Sequence, residues 1–78
     1  MTTLINLAPL EAAFNRQSWE WLQGEAPDIA DALQTVVRGG ATPDEVRRHT
    51  MRYTGRAPLA ARIEQAAAHL AAIRDTTK

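Results

Sequence analysis

Apolar positions recur along the chain at helical spacing in four separate blocks. Leu7, Leu10, Phe14 and Trp21 define one stripe of a first helix that starts near Asn6 or Ala8 and runs to Gln23. Ile29, Leu33, Val36 and Val37 make the apolar face of a second, from about Pro27 to Arg38. The third block, Pro43 to Thr54, has a thinner face of Val46, Thr50 and Tyr53, with Met51 beside them. The fourth, Pro58 to about Arg74, carries Leu59, Ile63, Ala66, Leu70 and Ile73 in one stripe, flanked by Ala60, Ala67 and Ala71.

The punctuation between the blocks agrees with these spans. Gly24 is the expected end of the first helix, and Pro27 suits the first position of the second, where its missing N–H costs nothing. Gly39-Gly40 stops the second helix. Thr42-Pro43-Asp44-Glu45 is a capping-box start: Thr42 accepts from the Glu45 N–H, and Glu45 reaches back to the N–H of Thr42. Gly55 closes the third helix, because glycine enters the left-handed conformation without a Cβ penalty. Every loop is short, so consecutive helices fold back on one another. The predicted fold is all-α: a compact four-helix bundle-like single domain over residues 1–78, its last two helices a tight hairpin. An arm over residues 1–6 is expected to pack on the body through Leu4 and Ile5, followed by Leu7, and residues 75–78 form a frayed tail.

Length and composition narrow the class. A chain of 78 residues makes one domain. A domain this small buries only about 60–65% of its unfolded surface, so it leans on close helix packing or on oligomerisation. There is no cysteine, which excludes disulfides and thiolate metal sites. The N-terminus lacks the basic flank and long apolar core of a signal peptide, and no apolar run approaches the ~20 residues of a membrane span. The expected location is cytoplasmic.

Charge adds the main functional clue. The net charge is zero, but residues 1–45 hold seven acids against Arg16 and Arg38, a net −5, and residues 46–78 hold seven bases against Glu64 and Asp75, a net +5. All those bases but Lys78 are arginine, which suits carboxylate and phosphate forks better than lysine does. Helix electrostatics accounts for part of this. Glu11, Asp28, Asp31, Asp44 and Glu45 lie in or near first turns, and Arg38, Arg52 and Arg74 in or near last turns, each favourable by about 0.3–1 kcal/mol. Asp44 and Arg48 also form an i,i+4 pair. Arg47, Arg56 and Arg62 are left over.

The helix pair joined by the turn at Gly55 resembles a DNA-reading unit only in outline. Its second helix opens Pro58-Leu59-Ala60-Ala61, which offers base edges almost nothing. Gly39-Gly40 follows no strand and precedes no Lys-Ser/Thr pair, so it is not a phosphate loop. His49 and His69 lie on different helices without the further ligands that zinc needs, although Glu45 stands i,i+4 to His49. Ser18 is the only serine and has no histidine nearby in sequence. The chain therefore reads as a non-enzyme without cofactor, metal or small-molecule substrate. Trp19 and Trp21 stand ~200° apart around one helix, so they cannot share a narrow face. The leading reading is a helical protein-interaction module, an adaptor or accessory subunit, pairing with a protein partner or with itself. The alternative is a nucleic-acid-binding accessory protein that uses the third helix and the following turn. The candidate contact residues are Arg47, Arg48, Arg52, Arg56, Arg62 and Trp19.

Overall fold

A computed structural model describes residues 7–76. Four helices follow in order: α1 Ala8–Glu25, α2 Pro27–Arg38, α3 Pro43–Thr54 and α4 Ala57–Thr76. The fold is the expected all-α helical bundle, with α3 and α4 packed as a hairpin. The arm over residues 1–6, and residues 77–78 of the tail, lie outside the described residues.

Most boundaries follow from local chemistry. Thr42 Oγ1 accepts from the Glu45 N–H at 3.2 Å. Glu45 turns back as expected, but its carboxylate accepts from the Thr42 hydroxyl at 3.1 Å, not from the Thr42 N–H. Gly55 sits at φ +65°, in the left-handed region, and ends α3. At the end of α2 the left-handed residue is Gly40, at φ +108°. There the Ala41 N–H donates to Val36 O and the Gly40 N–H to Val37 O, the paired bonds of a Schellman ending. Gly24 does not stop α1. The helix runs through it to Glu25, and the break falls at Ala26, which leaves the helical region at φ −146° and ψ 73°, because the residue before Pro27 is pushed out of that region. Asp75 and Thr76 continue α4 and are not part of a frayed tail.

α4 is the axis of the molecule: α1, α2 and α3 all pack against it, and α1 also packs against α2. Trp21 meets Arg62 and Ser18 meets Gln65, so α1 runs antiparallel to α4. Arg74, near the end of α4, donates to Val37 O at 2.8 Å and Ala41 O at 3.3 Å. Those bonds place the C-terminal end of α2 beside the C-terminal end of α4, with the Val37 carbonyl accepting from Arg74 as well as from the Gly40 N–H.

The core is built from Leu22, Ala30, Leu33, Val37, Val46, Ile63, Ala66, Ala67, Leu70 and Ala71. Ala66 and Ala67 are 0% exposed, so the small side chains of α4 let its neighbours approach closely. The expected stripe of α1 is not the one that is buried. Leu7, Leu10 and Phe14 are about half exposed, and α1 contributes Ser18 and Leu22 instead, with Trp19 and Trp21 partly buried against the core. The inward face is thus rotated from the apolar stripe, and all of its buried positions lie in the C-terminal half of the helix. On α2, Ala30, Leu33 and Val37 are buried while Ile29 and Val36 stay half exposed. On α3 only Val46 is buried, and on α4 Ile73 is exposed.

Candidate interaction surface

The exposure of Ile29 and Val36 has its cause in the packing of α2. α2 and α3 both lie on α4, yet no Cα of one comes within 8 Å of the other. The space between them is an open cleft of about 330 Å³, lined by Val36, Ala41, Glu45, Val46, His49 and Thr50. Ile29 and Val36 are seven residues apart, hence about 20° apart around α2, so Ile29 extends the same wall. On the other wall the Tyr53 ring lies 4.9 Å from the His49 ring and is 80% exposed. The sequence pattern placed Ile29, Val36 and Tyr53 on core faces because it presumed that α2 and α3 touch.

The arginines divide into two groups. Arg47 is an interhelical tie, 3.5 Å from Glu64 on α4 and 3.8 Å from Asp44. Arg48 donates to Asp44 from Nε at 2.9 Å and also from Nη2. Those bonds, with the positive charge of Arg48, hold the Asp44 carboxyl below the usual carboxylate range, and the same bonds with the negative charge of Asp44 push the Arg48 guanidinium up. Arg62 stacks over Trp21, 4.4 Å from the ring centroid, a cation–π contact that helps cover the indole. Arg52 and Arg56 are different. Both are exposed, and among the described residues neither side chain has an ion-pair or hydrogen-bond partner. Arg52 shares a recess with Glu45, Arg48 and His49, two of which line the cleft, so it stands on the cleft's rim.

Trp19 lies elsewhere. It is half-buried in a second cleft of about 510 Å³, with Gln34, Val37, Arg38, Leu70, Ile73 and Arg74. The site residues therefore form no single patch: Arg48 and Arg52 share the outer side of α3, Arg56 lies in the turn after it, Arg47 bridges to α4, and Arg62 and Trp19 belong to the surroundings of α1. Ser18 has a structural partner, donating to Gln65 Oε1 at 2.6 Å across the α1–α4 seam. No group of three or more metal-ligating side chains occurs among the described residues, and no described helix is long and apolar enough to cross a membrane.

Sequence reasoning missed Ile29, Val36 and Asp28 as surface candidates. The signal was available in part: with Ala30, the apolar positions of α2 span an arc of about 120°, wider than one helix contact covers. No protein-family model, curated protein or solved structure matches the chain.

Proposed function

We propose that the chain is a small, non-enzymatic helical interaction module, an adaptor or accessory subunit whose partner is a protein. The observation that carries this reading is the cleft between α2 and α3. Large apolar side chains flank it in helical register, half exposed or more, on rigid elements instead of loops. Contiguous apolar surface of this kind, edged by charge, is characteristic of protein-binding faces. The test is photo-crosslinking in cells with benzoylphenylalanine at position 36, on the cleft wall, and at position 23, on the exposed side of α1. Protein adducts at 36 that are absent at 23 support the reading. Nucleic-acid adducts alone, or none at either position, overturn it.

A second reading, nucleic-acid binding, rests on the unpaired Arg52 and Arg56 beside the exposed Tyr53. Asp44 counts against it, because it already neutralises much of Arg47 and Arg48. Fluorescence anisotropy of labelled duplex and single-stranded DNA and RNA at low and moderate salt decides the matter. Phosphate binding weakens steeply with salt, and removing Arg52 or Arg56 reduces the slope of the log–log salt plot by about one unit each.

A further inference from the structure

Resting on the reading of the chain as a protein-interaction module, we infer that the α2–α3 cleft is a self-association face, and that its occupant is a second copy of this chain. A two-fold interface brings one patch against itself, so the patch must be self-complementary. This one is. One wall, α2, carries Ile29 and Val36 with the exposed carboxylate of Asp28 beside them. The other wall, α3, carries His49 and Tyr53 with Arg52, and Arg56 follows in the turn. Neither Asp28 nor the two arginines has an ion-pair partner within the described chain.

The heights of these groups in the fold make the match specific. α2 runs with its C-terminal end beside the C-terminal end of α4, and α3 runs antiparallel to α4 through the Gly55 turn. Asp28 at the start of α2, and Arg52 and Arg56 at the end of α3, therefore stand at the same end of the molecule. A two-fold axis parallel to the cleft preserves height and exchanges the walls. It sets Asp28 of each copy against Arg52 and Arg56 of the other, Ile29 against Tyr53, and Val36 against His49. The same operation brings Asp28, from the acidic first half of one chain, to Arg52 and Arg56, from the basic second half of the next.

The experiment is sedimentation equilibrium of the purified chain from micromolar to millimolar concentration, at low and high salt, with circular dichroism to confirm that each variant is folded. The expected result is a monomer–dimer equilibrium that weakens with salt. Val36→Asp should weaken it about tenfold or more, since it places a carboxylate in the apolar centre. Asp28→Arg and Arg52→Asp should each weaken it several-fold, and the two together in one chain should restore it in part, with Arg56 still opposed to the new arginine, a rescue that a merely structural role would not give. A chain that stays monomeric throughout overturns the inference, and the interaction-module reading then stands or falls on whether position 36 crosslinks to a different protein. A dimer indifferent to Val36→Asp and Asp28→Arg but lost in Phe14→Asp also overturns it, by moving the contact to α1. A dimer weakened by each single reversal and not restored by the pair overturns the two-fold charge match.

Discussion

The seam between α1 and α4 and the cleft between α2 and α3 are built from similar materials and end differently. Across the seam, Ser18 bonds Gln65, Arg62 covers Trp21 and Leu22 enters the core. Across the cleft, Val36 faces His49 over open space, and among the described residues no bond joins α2 to α3. The seam does not close because it is more hydrophobic. The large apolar side chains at the start of α1, Leu7 at its N-cap and Leu10 and Phe14 in its first turns, stay half exposed. It closes where small side chains let the backbones approach and where each buried polar group has a partner. The cleft has neither feature, and its unpaired charges stand at its rim.

That contrast can be broken from the closed side first. Leu22→Ala should cost about 2–5 kcal/mol, because the truncated side chain is almost fully buried and leaves a cavity, and in so small a domain urea unfolding should show most of the chain unfolded or nearly so. Ser18→Ala should cost about 1–3 kcal/mol by stranding the Gln65 amide oxygen, and Ser18→Ala with Gln65→Leu should recover part of that loss in the same measurement. Gly55→Ala should cost about 1–2 kcal/mol in thermal unfolding, for its backbone strain alone, since nothing lies within 4 Å of the added Cβ. On the open side, Ile29→Ser should change unfolding stability by no more than about 0.5 kcal/mol, a value typical of exposed positions. If it costs as much as Leu22→Ala, the cleft is closed in solution and the contrast is lost.

The smallest effect concerns acid. The Asp44 carboxyl is held low by Arg48, so its contribution is complete above the ordinary carboxylate range and is lost only as the pH falls through the lowered folded-state value. A carbon-detected NMR titration should place the Asp44 midpoint below that of exposed carboxylates, and Arg48→Ala should move it up towards the ordinary range, with Arg47 still holding it down in part.

Residues near one another in sequence were legible because their chemistry is local. Thr42, Pro43 and Glu45 start α3 and Gly55 ends it whatever surrounds them. The end of α1 was misplaced at Gly24 because a glycine inside a helix costs only about 1 kcal/mol, which packing on either side of it offsets, whereas the steric demand of Pro27 on Ala26 is not negotiable. The pairing of Asp44 with Arg48 was legible from i,i+4 spacing. The bonds of Arg47 to Glu64, of Arg62 to Trp21 and of Arg74 to Val37 were not, since each joins helices whose relative rotation no local pattern reports.

By itself, then, the sequence determined four helices, nearly all of their ends, and a division of charge between the two halves of the chain. Those properties follow from caps, turn conformations and composition, which act over a few residues or over none. The tertiary structure decided which side of each helix is buried. Helical spacing names a stripe, but burial requires a neighbour, and α4 has room for three neighbours of which α2 and α3 do not meet. That one missing contact turns Ile29, Val36 and Tyr53 from expected core into surface, and leaves Arg52 and Arg56 as the arginines of the α3 region that the chain does not itself engage.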